Sequence, residues 1–481
     1  MTHAPQVKLI EVRRYEWPFR LRMPFRFGAV THTHGRQAVV RALIRLEDGR
    51  EGWGVAAESL AAKWFEKDPA YSDEDNFRQL RHALELTEAG YLATSPRTAF
   101  ALYADNYADL IAAGRKARLS PLVTGFGPAL IDRAILDALC RLHGISFYRA
   151  MQGNLTGMAP HPAIADLGAF DFGAFLAARQ PAASVHARHT VGLVDPIVAA
   201  DQSQGGRVND GLPETLEEVV AAYGHRYFKL KVGGNVREDI ERLSRIASVL
   251  DRIAEPYFAS LDGNEQYQDA AGVLELWRRM QETAALARLN RSIIFIEQPI
   301  KRAAALDADI GGLSSEKPVI VDESDGELDI FPRARALGYR GISSKACKGF
   351  YKSFVNLARC ETWNQEAGGA RYFLSAEDLT TLAGTCVQQD LALINLLGLG
   401  HVERNGHHFV DGFAGRPPAE AARFLAAHPD LYRSSPGGPR LRIQDGRIAL
   451  ASLDCVGLGA HVEPDYGQME TMPPSQWPPT G

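Results

Sequence analysis

Charged side chains recur in this chain at the ends of strand-like runs. Tyr227-Phe-Lys-Leu-Lys231, Leu261-Asp-Gly-Asn264, Ile294-Phe-Ile-Glu-Gln-Pro299, Val319-Ile-Val-Asp-Glu-Ser324 and Ile342-Ser-Ser-Lys-Ala-Cys-Lys348 supply Lys229, Asp262, Glu297, Asp322 and Lys345. These five are separated by 33, 35, 25 and 23 residues, each the length of one strand and one helix. Three carboxylates converging on one point cannot all stay ionised without a cation between them. Oxygen ligands with no nearby His or Cys select a hard divalent ion, Mg²⁺ first and Mn²⁺ as its substitute. Lys229 and Lys231 lie two apart in an apolar run and so share one face of a strand. A free lysine is too basic to accept a proton at neutral pH, with a pKa of about 10.4. A second ammonium or a metal ion close by lowers that value. A carboxylate substrate held by the cation, with a lysine at its α-carbon, is the arrangement that removes an α-proton and holds the resulting enediolate.

The elements that must position these groups alternate. Strand-like runs at residues 189–193, 227–232, 257–262, 292–297, 318–322, 341–347 and 371–375 are interleaved with helical stretches such as 237–252, 270–282 and 350–365. Successive β then α units call for a parallel sheet covered by helices, and polar groups at one strand end of a β/α barrel mark its active face. Before this lies an α+β segment. Residues 7–14, 37–46 and 52–56 read as strands, with Asp48-Gly49 as a hairpin turn. Residues 129–142 form an apolar helical stripe, with Pro128 expected just inside its start and Gly144 just past its end. Residues 194–213 read as a polar, Gly-rich loop, and the proline-rich 473–481 as a flexible tail.

Composition narrows the class. A chain of 481 residues with 46% apolar and 23% charged residues is ordinary globular material, large enough to bury a core without disulfides or structural metal. A net charge of −5 gives no electrostatic case for nucleic acid or an anionic membrane as partner. The five scattered cysteines suit a reducing compartment, and neither a signal-peptide core nor a membrane-length apolar run is visible, so a cytoplasmic protein is expected.

With these motifs in hand, the chain resembles the enolase superfamily, and within it the muconate-lactonizing-enzyme-like subgroup of the mandelate racemase/muconate lactonizing enzyme family. Lys229-Leu-Lys231, Asp262-Gly-Asn264, Glu297-Gln-Pro299, Asp322-Glu-Ser324 and Lys345 carry the resemblance. Ala134-Ile-Leu-Asp-Ala-Leu-Cys-Arg-Leu-His-Gly-Ile-Ser-Phe-Tyr148 with Met151-Gln-Gly153, and Asp445-Gly-Arg-Ile with Gly457-Leu-Gly459, extend it over nearly the whole chain. The resemblance implies an α/β fold: a modified (β/α)7β TIM-type barrel under an N-terminal α+β capping domain. The capping domain would span 1–155, the barrel 156–435, and a C-terminal return to the cap 436–472. It further implies Asp262, Glu297 and Asp322 as Mg²⁺ ligands, Lys231 as one acid/base group with Lys229 as its partner near the substrate carboxylate, and Lys345 as acid/base group or charge-stabilising cation on the opposite face. A Lys base with Mg²⁺ stabilising an enediolate is that superfamily's known pattern. The expected outcome is racemisation or epimerisation, dehydration, or cycloisomerisation of a small-molecule carboxylate, in a homo-oligomer.

Asn264 and Glu323 are read as groups supporting the metal ligands. His32 and His34 on a first capping loop, and Lys63-Trp-Phe65 on a second, are read as candidates to reach the substrate. An acidic residue is expected at a later strand end; counting forward from Lys345 reaches Glu377, whereas counting back from Gly384 reaches Thr380. After Lys345 the chain departs from the family pattern, since Lys348 is followed by Gly349-Phe350. Gly125-Phe-Gly127-Pro128 lacks the third glycine of a dinucleotide loop and reads as a helix-initiating turn; His407-His408 could bind metal but reads first as a solvated loop, and Cys347 as a packing residue. Two other classes stay open: a Schiff-base lyase using Lys345, and a catalytically silent metal-binding barrel.

Overall fold

The computed structural model describes residues 4–27, 30–202, 206–413 and 415–478. Strands β1 (Val7–Phe27), β2 (Val30–Leu46) and β3 (Glu51–Ser59) form an antiparallel sheet, extended at its far edge by Glu470–Thr471 beside β1. Helices α1 (Asp73–Ala93) and α3 (Pro121–His143) cover this sheet, and α2 (Ala99–Lys116) packs against both of them. β3 lies so close to α3 that a Cβ on Gly54 would stand 2.1 Å from the Ala138 nitrogen, which leaves room for glycine alone. The expected start of α3 is displaced. Ser120 caps the helix and Pro121 opens it, so Pro128 is interior. Ile145 and Gly144 end it where expected, with Gly144 in the left-handed region at φ 64°.

Among the described residues, eight parallel strands then close a barrel: β4 (Ser184–Val191), β5 (Tyr227–Lys231), β6 (Phe258–Asp262), β7 (Ile293–Glu297), β8 (Val319–Val321), β9 (Gly341–Ser344), β10 (Phe373–Ala376) and β11 (His401–Glu403). β11 pairs with β4 to complete the ring. At least one helix lies in each crossover, for example Val236–Leu250, Ala270–Glu282 and Phe350–Glu366. The expected barrel and α+β cap are thus both present. The register places Lys231 beside Asp262, Asp262 beside Glu297 and Glu297 beside Ile320, so Asp322 lies two residues further up. One face of each strand is therefore aligned with its neighbours before any side chain is placed.

The chain returns along both units. Arg447–Ala449 pairs with β4, and Glu470–Thr471 then joins the capping sheet. The expectation of an unpacked tail fails for residues 473–478. Trp477 is buried and its indole Nε1 donates to the Ala117 carbonyl at 2.8 Å, while the Ser475 nitrogen donates to Glu85 at 2.8 Å. The remaining tail positions lie outside the described residues. No helix among the described residues is long and apolar enough to cross a membrane.

Candidate active site

Strand alternation sends every second side chain into the barrel. Lys229 and Lys231 both point inward from β5, as the sequence pattern requires. Lys229 Nζ lies 2.9 Å from Asp262, 2.8 Å from Glu297, 2.9 Å from Glu377 and 3.0 Å from Glu403. Lys231 donates to Asp262 at 2.6 Å and also to Asn264 Oδ1. Lys345 donates to Asp322 Oδ2 at 2.8 Å, and Lys348 lies 3.0 Å from Asp322 Oδ1. Lys229, Lys231, Lys345, Asp262, Glu297 and Asp322 thus converge in one buried network.

The neighbouring motif residues hold this network in place. Gln298 Oε1 accepts from the Asp322 and Ser324 nitrogens, while its Nε2 donates to the Ile300 carbonyl and Ser324 Oγ. It ties the end of β7 to the end of β8. Asn264 donates to Glu323 Oε1 at 2.9 Å, and Lys67 of the capping loop reaches the same oxygen at 3.2 Å. Asn264 and Gln298 both sit at positive φ, 40° and 30°, a conformation that costs side-chain-bearing residues about 1–3 kcal/mol. The departure after Lys345 also has a structural basis. Gly349 takes φ 107°, and Lys348 turns back to donate to the Asp322 carbonyl and Ser343 Oγ, both at 2.7 Å.

Charge is finely opposed here. Burial alone would lower Lys229 and Lys345, yet the carboxylates outweigh it and hold both ammoniums above the ordinary lysine range. Burial would likewise raise Asp322, but Lys345 and Lys348 hold it well below the usual carboxylate range. Glu297 behaves the opposite way: burial, then Asp262 and Glu377, push it well up. Its Oε2 is buried with no hydrogen-bond donor among the described residues. An acceptor oxygen without a donor, set among further carboxylates, fits a hard cation held by Asp262, Glu297 and Asp322.

Two members of the network escape sequence reasoning. Glu403, on the three-residue β11, accepts from Lys229 and from Thr190, and Arg188 of β4 pairs with Glu377 and donates to the Ala376 carbonyl. Glu377 is buried against Lys229 and Arg188, whereas Thr380 lines the cavity above.

That cavity lies between barrel and cap. Lys229, Lys231, Asn264, Asp322, Lys345 and Glu403 form its floor, and Phe19, Leu21, Phe25, Leu60, Phe77 and Leu379 supply apolar walls. His32 and His34 both border it; His32 is half-buried, and burial lowers its pKa against the pull of Asp73. The second capping loop is docked on the barrel mouth. Trp64 places its ring 4.2 Å from Lys345 Nζ, and Arg302 holds the Trp64 and Phe65 carbonyls at 2.9 and 2.8 Å. Glu323 sits just behind, its Oε2 without a donor among the described residues. Cys347 is packed in the capping core, where burial pushes its thiol up. His407 and His408 do not form a solvated loop: they fold against the outer wall of the barrel, with His408 buried.

No family model matches the chain. Over 157 residues it is 29% identical to an N-succinyl-L-Arg/Lys racemase of Bacillus cereus, a match covering 30% of this chain and 38% of that relative. The match therefore spans well under half of the relative's length. Among solved structures, a dipeptide epimerase from Enterococcus faecalis complexed with Mg and L-Leu-L-Tyr superposes with a TM-score of 0.58 at 15% identity. The alignment covers 94% of this chain and 99% of that one. Muconate lactonizing enzyme from Pseudomonas fluorescens gives 0.58 at 16% identity, over 96% and 98%. A dipeptide epimerase from Methylococcus capsulatus gives 0.53 at 19%, over 92% and 99%. These likenesses show the fold, a barrel under a capping domain, which is the architecture that the strand-end motifs imply.

Proposed function

We propose that this chain is a divalent-metal-dependent isomerase that removes and returns the α-proton of a small carboxylate bearing a bulky apolar substituent. The observation that carries the reading is the placement of Lys231 and Lys345. They extend from β5 and β9, four strands apart either way round the ring, and both line one cavity. The carboxylates Asp262, Glu297 and Asp322 fill the arc between them. Two proton-transfer groups facing one another across a bound α-carbon suit a 1,1-proton transfer, in which one lysine takes the proton and the other delivers one to the opposite face.

Asp262, Glu297 and Asp322 would hold Mg²⁺ or Mn²⁺. When bound, that cation supplies positive charge against the negative charge that develops on the substrate carboxylate as the proton leaves. Lys229 spends its three donors on Glu297, Glu377 and Glu403 and is ion-paired with Asp262, so it serves to hold these carboxylates in register. Trp64, over Lys345, shields that ammonium from water. The Schiff-base alternative calls on the same Lys345, and borohydride trapping of a substrate adduct on that lysine distinguishes the two readings.

The apolar walls from β1 and α1 favour a hydrophobic α-substituent, and the racemase and epimerase relatives direct attention to N-acyl amino acids and dipeptides. The test is proton NMR in D₂O with Mg²⁺ across pools of such compounds and of sugar acids. Loss of an α-proton signal without new products is the expected result. New vinylic or keto signals would replace the isomerase reading by elimination, and no exchange in any pool would count for a silent barrel.

A further inference from the structure

The outer face of β4 carries a second constellation that the reaction above does not use. His189 points away from the barrel interior, since Arg188 and Thr190 on either side point into it. Beside it stand His225, just before β5, and His407, just after β11. Their ring centroids are 5.4, 5.7 and 5.6 Å apart pairwise. Three imidazoles on one tetrahedral metal ion would place their centroids roughly 5 Å apart, given metal–nitrogen bonds of about 2.0–2.1 Å. One ring nitrogen from each lies within 4.8 Å of the others, against about 3.3 Å on a tetrahedral ion, so binding draws the rings together by up to about 1.5 Å.

The hydrogen bonds point the same way. His225 donates from Nδ1 to the Ala187 carbonyl at 2.9 Å, and His407 faces the Arg404 carbonyl with Nδ1. A carbonyl partner fixes the proton on Nδ1 and leaves Nε2 as a lone pair, which is how ligating histidines are usually oriented. Both Nε2 atoms, and His189 Nδ1, are buried without a hydrogen-bond partner among the described residues. Burial also keeps all three rings neutral: His225 is pushed down to about 4, and His189 and His407 fall well below the ordinary value. The nearby Arg440 pairs with Asp411, so its charge is already countered.

We infer that His189, His225 and His407 form a binding site for a borderline divalent metal of the zinc class, separate from the carboxylate site. Three imidazoles suit Zn²⁺, Ni²⁺ or Cu²⁺ and not Mg²⁺, so the two sites sort metals by ligand chemistry. The metal would clamp β4 and the approach to β5 to the segment after β11. That segment carries Asn405, which lines the active-site cavity.

The test uses the full-length protein saturated with Mg²⁺, to which ¹¹³Cd²⁺ is added as a zinc probe and followed by NMR, in parallel with ¹⁵N-labelled histidines titrated with Zn²⁺. One cadmium resonance in the nitrogen-ligated range, with shifts at three imidazole nitrogens at one equivalent of zinc, is expected. An oxygen-type resonance alone, or histidine signals unmoved by zinc, overturns the site. In His407→Asn the nitrogen-type resonance should vanish; its persistence would likewise overturn the assignment. The wild-type readings decide the matter even if that variant folds poorly, and they do not depend on the proposed reaction.

Discussion

Arg188 and His189 are adjacent on β4 yet belong to two different polar regions. Inside the barrel, Arg188 joins a network in which opposite charges meet at close range: five carboxylates, Asp262, Glu297, Asp322, Glu377 and Glu403, against Lys229, Lys231, Lys345, Lys348 and Arg188. Outside the wall, His189 meets neutral imidazoles whose Nε2 atoms have no hydrogen-bond partner among the described residues. The two regions solve the burial of polar groups in opposite ways. One keeps its charges and pairs them; the other gives them up. Removing one member of a paired set strands its counter-ion, whereas removing one neutral ring strands almost nothing.

The largest effects should therefore come from breaking the paired set at the mouth. Glu297→Gln removes the carboxylate whose Oε2 lacks a donor, and metal affinity and turnover should fall together, read by Mg²⁺ titration and by the exchange assay on whichever substrate it identifies. Lys345→Ala should lose about 10²- to 10⁴-fold in turnover with metal binding kept. If the two lysines serve opposite faces, Lys345→Ala should still exchange the α-proton of one enantiomer and Lys231→Ala that of the other. Equal loss for both enantiomers in both variants would remove the two-face assignment.

Next come two neighbouring changes that set the regions directly against each other. Arg188→Met leaves Glu377 without its guanidinium and should cost roughly 3–5 kcal/mol, as broken buried pairs do. His189→Leu, measured without added transition metal, should cost less than about 1 kcal/mol, because an apolar side chain replaces a ring with an unpaired nitrogen. Urea denaturation of both variants checks the contrast. Similar losses would mean that the outer cluster is held by interactions of the same kind as the inner one.

The inner region was largely legible in the sequence and the outer one was not, for a physical reason. Lys229, Asp262, Glu297, Asp322 and Lys345 end apolar runs at one-unit spacing, so periodicity alone puts them on one rim. Glu403 ends a strand of only three residues, His-Val-Glu, too short to show a period, and Arg188 falls just before the recognised run at 189–193. His407-His408 follows Arg404-Asn-Gly, a polar stretch that reads as loop, and nothing local shows that ring closure between β11 and β4 folds it against the wall. Pro128 misplaced the start of α3 because Gly125 and Gly127 look like a turn. Gly127 is instead needed for close packing, since a Cβ there would lie 2.2 Å from the Ala83 carbonyl of α1. The tail deceived for a similar reason: four prolines suggest an unpacked segment, but a single Trp477 is enough to anchor it.

Acid also separates the regions. His225 is held at about 4 by burial, well below the ordinary value of 6.5, with His189 and His407 lowered by burial and by one another. The unfolded chain therefore binds more protons than the folded one between about pH 4 and 6.5. Stability from the cluster is fully present above about pH 6.5 and drains away as the pH falls toward 4. His408, pushed down to about 3 by burial and by Arg22, extends the same loss further into acid. Urea midpoints measured from pH 7.5 to 4.5 should decline in the wild type and decline less steeply in His225→Gln. An unchanged slope in that variant would shift the acid sensitivity to groups elsewhere, and the contrast between a charged interior and a neutral outer cluster would lose its thermodynamic consequence.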